Sequence, residues 1–297
     1  MLGIEVKLLH FSSEGPRLIA ISSKVSLSAK VFDELKGISE EEVEVWIRET
    51  YRRTHFSPWE HATYTFVVDG LSRVASHQLV RHRVASYTQQ SHRYTEGYLR
   101  RMALRASALL SLGCPEKPKE GKRDAYLCYS EALRKAEAKA EIARVGFVPP
   151  PLKRLDLWAR HVMDAAATYY ELLASGARRE DARYVIPDSV RTRIVVTMNA
   201  RELIQVFFPL RMCTRAQWEI RHIAWRLWAE LMKVHPQLWK YAGPSCVFRE
   251  NTEREEPAAL EEYLKGEKAF GIRRCPELVE NKAIWGCLAN ASKALEM

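Results

Sequence analysis

Hydrophobic and polar positions repeat along this chain with two periods, and the changes of period mark its elements. Val6 to Phe11 and Arg17 to Ile21 are short β-type runs set apart by Ser, Gly and Pro. Ser39 then offers an N-cap with Glu42 at the capping-box position, and Val43, Trp46, Ile47 and Thr50 or Tyr51 recur at helical spacing, which predicts a helix over 40–52. After a loop from His55 to His61, Ala62, Tyr64, Phe66 and Val68 alternate with Thr63, Thr65 and Val67, predicting a strand that stops at Gly70. Ser72 caps a helix over 71–80 that delivers Arg81 at its C-terminal end. Asp124 to Val145, rich in Ala, Glu, Lys and Arg with a Glu131–Lys135 pair, reads as one solvent-facing helix. A further helix carries Leu155, Trp158, Ala159, Val162, Ala166, Tyr169, Tyr170 and Leu173 on one stripe and stops at Gly176. Arg191 to Met198 alternates as a second good strand, and Ile220, Ile223, Ala224, Leu227, Trp228 and Leu231 form the core stripe of the helix that follows. Beyond Gly243-Pro244 the periodicity weakens, so residues 244–297 are treated as a tail with about two short helices.

Composition narrows the class. With 297 residues, 47% of them hydrophobic, the chain can bury a large core. No stretch reaches the roughly 18 apolar residues of a membrane span, and Glu5 and Lys7 interrupt the N-terminal apolar residues, so neither membrane insertion nor a signal peptide is expected and the cytoplasm is the expected compartment. The net charge of +9 predicts polyanionic partners, whether nucleic acid, nucleotides or phosphorylated cofactors. Six cysteines without a Cys-x-x-Cys pair read mostly as ordinary thiols, and only four Asn and six Gln hint at a heat-adapted source.

Missing motifs exclude other classes. There is no Gly-x-Gly-x-x-Gly and no Walker-type loop, so side chains rather than glycine backbone must hold any phosphate. Zinc- and serine-hydrolase signatures are absent, and His55, His61, His77, His82 and His92 lack a spacing that converges on a metal.

The densest chemistry lies between Arg81 and Tyr94. Arg81, Arg83 and Arg93, His82 and His92, Gln89 and Gln90, Ser86, Thr88 and Ser91, and Tyr87 and Tyr94 leave only Val84 and Ala85 apolar. Guanidinium forks bind phosphate and carboxylate oxygens in pairs, so this run suits an anionic, oxygen-rich ligand, although a solvated basic loop fits the composition equally.

The spacing Arg81-His82-Arg83, seven residues, Ser91 resembles the signature of the flavin-dependent thymidylate synthases. His55 to His61 resembles the family's His-x-(Ser/Thr)-Pro-x-Glu-His segment, and Thr197 to Arg201, Leu210-Arg211 and Ala216 to Ile220 resemble its second block. The likeness covers 50–100 and 178–232, with 102–152 a divergent helical segment inside a domain spanning 1–243.

The resemblance implies an α+β fold, with mixed helices packed on a small, largely antiparallel sheet in one large domain that forms a homotetramer with shared active sites. It implies methylation of dUMP to dTMP, with methylenetetrahydrofolate as carbon donor and NADPH as reductant through FAD, without a cysteine nucleophile, metal, nucleic acid or membrane. Carried over by position, Arg81, His82, Arg83, Gln89, Asn199, Ala200 and Arg201 hold FAD, with Ser57 from a neighbouring subunit, Gln205 as the flavin-contacting amide and His55 against the flavin. Gln78, Leu79, Val80, Arg81, Gln89, Gln90, Ser91, His92 and Arg93 surround dUMP, completed by Arg183 and Arg211, although His92 taken alone reads as structural. Arg211 and Ser91 are the expected catalytic pair, Arg211 at the pyrimidine N3/O4 edge and Ser91 beside it without acting as nucleophile. Gln89 stands where the family commonly has Glu, Arg215 replaces a family histidine, and the Asn199–Arg211 interval is one residue longer than usual. Two rivals are a basic nucleic-acid-binding protein, suggested by Tyr87 and Tyr94 beside arginines, and a catalytically silent relative that only binds nucleotide.

Overall fold

The computed structural model describes residues 3–25, 37–117 and 122–297. Four antiparallel strands, β1 (Glu5–Phe11), β2 (Thr63–Ser72), β3 (Ala85–Gln89) and β4 (Arg191–Asn199), form a sheet in the order β1-β2-β4-β3. Tyr64, Phe66 and Val68 of β2 and Ile194, Val196 and Met198 of β4 are all buried, so the predicted alternation puts one face of the central pair into the core. Trp225, Leu227 and Leu231 of the helix Trp218–Val234 belong to the same core.

The helix Glu40–Arg52 begins at Ser39 with the expected reciprocal bonds, Ser39 Oγ accepting from the Glu42 N–H at 3.2 Å and Glu42 Oε2 accepting from the Ser39 N–H at 3.2 Å. Four expectations need correction. Arg17 to Ile21 is not a strand but lies in the helix Gly15–Val25: Pro16 suits a first helical turn, and adjacent Ile19 and Ala20 are buried together, which alternation forbids. Gly70 does not end β2; it takes φ +79° at a bulge, where a Cβ would stand 2.6 Å from the Gly3 carbonyl oxygen, and the strand continues to Ser72. The run after Arg83 contains β3, an edge strand whose inward residues Ala85, Tyr87 and Gln89 alternate with exposed Ser86 and Thr88. Finally, the 124–145 segment is two helices, Lys122–Lys135 and Lys139–Gly146, and it is not simply solvent-facing, because Tyr126, Tyr129, Leu133 and Ile142 are buried.

Those two helices join Gly97–Leu109 and Leu155–Ala174 around a second cluster containing Leu99, Met102, Val162 and Tyr170. Residues beyond 244 contribute Cys246, Val247, Leu260, Tyr263, Ile284 and Leu288 to the core around the sheet.

The segment after β4 is helical from Ala200 to Arg211 but widens to a π turn over Leu203–Phe207. Pro209 has no N–H to offer the Gln205 carbonyl, so the α pattern cannot run unbroken there.

Candidate active site

The site is built on the short helix Arg73–Leu79. Ser72 caps it, accepting from the Ala75 N–H at 3.0 Å, and Ser72 is itself gripped by Glu219, whose carboxylate accepts its N–H and its hydroxyl, each at 2.6 Å. Both residues are buried. Burial pushes the Glu219 carboxyl up, opposed by the two Ser72 bonds and by Arg191.

Just past this helix lies His82, 4% exposed. Its Nδ1 is 2.9 Å from Glu202 Oε1, its Nε2 accepts from Arg211 Nε at 2.9 Å, and Phe207 meets its ring edge-on at 4.9 Å. Arg211 also reaches the Gln78 carbonyl, with Nη2 at 3.4 Å. Burial lowers the Arg211 pKa from a very high starting value, and a guanidinium stays charged at any working pH. The Tyr87 hydroxyl is shared between the Leu79 and His82 carbonyls, each at 2.8 Å, tying β3 back to the same turn.

The residues expected to hold a cofactor differ in how far they are free to donate. Arg81 and Arg83 are exposed and have no ion-pair partner among the described residues. Asn199 caps the next helix, its Oδ1 accepting from the Glu202 N–H at 2.8 Å, and the Ala200 N–H bonds the Ala62 carbonyl at 2.8 Å. Arg201 Nε donates to Gln205 Oε1 at 2.8 Å, and the same guanidinium pairs with Glu60 on the turn that Ser57 opens. Val80 is exposed beside Arg81. His55 is not brought to His82 by any contact among the described residues; it borders a cavity of about 350 Å³ lined also by Val45, Trp46, Glu49 and Arg53.

A second group gathers at the far end of β3. Gln89 Nε2 donates to Ser76 Oγ at 2.9 Å, an amide serving as donor where a glutamate would only accept. Gln90 Nε2 bonds Thr95 Oγ1 at 3.2 Å, Ser91 Oγ accepts from the Arg93 N–H at 3.2 Å, and the Arg93 fork closes on Glu180 Oε2 at 2.8 and 3.1 Å. Arg183 donates to the Glu180 carbonyl at 3.2 Å. His92 and Arg183 line a cleft of about 300 Å³ with Arg73, Tyr184 and Asp188. Burial, then the Arg73 charge, lowers the His92 pKa to about 4, with Arg183 adding to the fall, so the ring is neutral near pH 7.

Sequence reading missed Glu202, Glu180, Arg73 and Ser76. Glu202 directly follows the Thr197–Arg201 run, but only the tertiary fold shows that its carboxylate faces inward to a histidine 120 positions earlier. Among the described residues no three His, Cys, Asp or Glu side chains are arranged to hold a metal ion. Cys114 and Cys128 are joined in a disulfide, so two of the six cysteines are not ordinary thiols. Burial pushes the Cys246 thiol up to about 12, which leaves it unreactive.

The chain matches the family model described as thymidylate synthase complementing protein over residues 7–237. A flavin-dependent thymidylate synthase of Aeropyrum pernix is 60% identical over 98% of this chain and 94% of its own length. That of Sulfurisphaera tokodaii is 41% identical over 99% of each. Among solved structures, the flavin-dependent thymidylate synthase of Helicobacter pylori, crystallised with FAD and dUMP, has a TM-score of 0.60 at 24% identity, covering 80% of this chain and 99% of that one; at this identity it speaks for the fold.

Proposed function

The chain belongs to the family of flavin-dependent thymidylate synthases, and from that premise we propose how its residues divide the work. It is an FAD-dependent enzyme that methylates dUMP to dTMP. The observation that carries this reading is identity of 60% along nearly the whole chain to an enzyme of that name.

The residues fit FAD. Arg81 and Arg83 are exposed guanidiniums without acidic partners among the described residues, the donor set that a pyrophosphate requires in a chain lacking a glycine-rich loop. In our reading Asn199, Arg201, Gln205 and Gln89 complete the cofactor's binding surface, with Ser57 supplied by a neighbouring subunit of a homotetramer and His55 against the flavin, while the buried His82 and Ala200 support that surface from behind. When bound, FAD supplies the hydride that completes the new methyl group.

The nucleotide lies along Gln78 to Arg81 and Gln89 to Arg93, with Arg183 closing over it. Carbon 5 of uracil must become electron-rich to attack a methylene carbon, and Arg211 at the N3/O4 edge stabilises the enolate-like charge that develops there. Ser91 holds the pyrimidine in place. Arg93, forked on Glu180, is geometrically ready for a phosphate oxygen in place of that carboxylate. Methylenetetrahydrofolate is the carbon donor and NADPH the reductant in this reading, and the cytoplasm is the compartment. No helix among the described residues is long and apolar enough to cross a membrane.

The oligonucleotide-binding alternative is disfavoured by the family match over residues 7–237 and by 60% identity to an enzyme of this family. The test is the visible spectrum of the protein, saturated with FAD, desalted and reduced anaerobically by NADPH. Retained flavin that bleaches faster with dUMP supports the reading; a colourless folded protein refutes it.

A further inference from the structure

Glu202 is a buried carboxylate on none of the surfaces assigned to a ligand. Its partner His82 also receives Arg211, and the protonation of that chain is dictated by chemistry. A guanidinium cannot accept a hydrogen bond, so at 2.9 Å the Arg211 Nε–H donates and His82 Nε2 must carry a lone pair. The ring proton of the neutral imidazole therefore sits on Nδ1 and donates to Glu202 Oε1, also at 2.9 Å. Side-chain exposures of 3% for His82 and 7% for Glu202 keep water from replacing either partner.

The backbone is shaped to make this possible. In an uninterrupted α-helix nine positions turn through about 900°, which would leave Glu202 and Arg211 on opposite sides. The π turn over Leu203–Phe207 absorbs one residue, so the two differ by about 80° and face the same imidazole. It also turns Phe207 onto the edge of that ring.

We propose that Glu202 is a positioning residue for the thymidylate reaction: by fixing the His82 tautomer it holds the Arg211 guanidinium in the orientation that meets the pyrimidine. The proposal rests on the functional reading above. Without the carboxylate, His82 is free to take its proton on Nε2, where it opposes the Arg211 Nε–H and turns the guanidinium aside.

The test compares Glu202→Met, which keeps the volume without an acceptor, with Glu202→Gln, whose Oε1 still accepts from Nδ1–H. Each is made in the natural chain and in Arg211→Lys, which lacks the Nε–H that His82 receives. dTMP formation and retained FAD are measured on the FAD-loaded protein. Glu202→Met is expected to lower kcat roughly 10- to 100-fold with KM for dUMP within about threefold, and Glu202→Gln to restore kcat to within about threefold. In the Arg211→Lys background the Met substitution is expected to cost less than about threefold, since the bond it disturbs is already gone. An equal fold-loss in both backgrounds, or full activity of Glu202→Met, overturns the proposal. Should Glu202→Met fail to fold, Glu202→Asp replaces it; its shorter carboxylate draws the ring back, and activity of the Asp variant equal to that of Gln would also overturn the proposal. Failure of the natural chain to form dTMP would instead refute the functional reading.

Discussion

Replacing Glu219 by alanine tests whether the helix that presents Gln78 to Arg81 is held from its far end. The carboxylate accepts the Ser72 N–H and hydroxyl, each at 2.6 Å, in a setting where both residues are buried. Hydrogen bonds to a charged acceptor contribute about 1.5–3 kcal/mol each, and leaving the Ser72 N–H buried without a partner costs about 1–3 kcal/mol. Against this stands relief of the burial that pushes the Glu219 carboxyl up. The net loss should be about 3 kcal/mol. At roughly 2–4 °C per kcal/mol for a chain of this size, the Tm should fall by about 6–12 °C. Calorimetry on the natural and Glu219→Ala proteins at one concentration reads this directly, with Glu219→Gln, which retains one acceptor oxygen, falling between them. Because the loosened N-cap frays the helix delivering Arg81, dUMP-dependent flavin oxidation at a temperature where the variant is folded should fall as well. A Tm within about 2 °C of the natural protein would show that the Ser72–Glu219 contact does not hold the helix and would refute the reasoning.

Further expectations follow from the same geometry. Arg211→Ala should abolish dTMP formation while flavin stays bound; near-normal turnover would remove Arg211 from the chemistry. Serine at all six cysteine positions should leave catalysis intact, and loss of the Cys114–Cys128 bond should cost stability by about 3 kcal/mol, as expected for a loop of about 15 residues, seen as a lower melting temperature. Selective loss of turnover in the folded variant would indicate a thiol mechanism. His92 has a folded pKa of about 4, below its ordinary value near 6.5, so the unfolded chain takes up the proton first as pH falls. Its contribution is present above about pH 6.5 and lost between there and about pH 4, and His92→Asn should flatten the stability profile in that window. An unchanged profile would remove His92 as its cause.

Much of the scaffold was legible because its periods were clean: the capping box at Ser39, the alternation of Tyr64, Phe66 and Val68, and the stripe from Ile220 to Leu231 each specify one element. Arg17 to Ile21 misled because a short apolar run suits either a strand or a helix, and burial of neighbours decides it. β3 was hidden by its polarity, since an edge strand with one exposed side needs few apolar residues. In the site, motif spacing reached Arg81 to Arg83, Ser91 and Arg211. It did not reach Glu202 or the Glu219 grip on Ser72, because a buried carboxylate is defined by what the fold sets against it. That a π turn lies between Asn199 and Arg211 was not visible in sequence.

The most direct test of the account is to incubate the FAD-saturated protein with dUMP, NADPH and methylenetetrahydrofolate carrying an isotopic label in its methylene carbon, and to identify the nucleotide product by mass. Labelled dTMP that requires all four components, and that disappears in Arg211→Ala, is the result predicted. Unlabelled dUMP recovered quantitatively from a folded, flavin-loaded protein would contradict it.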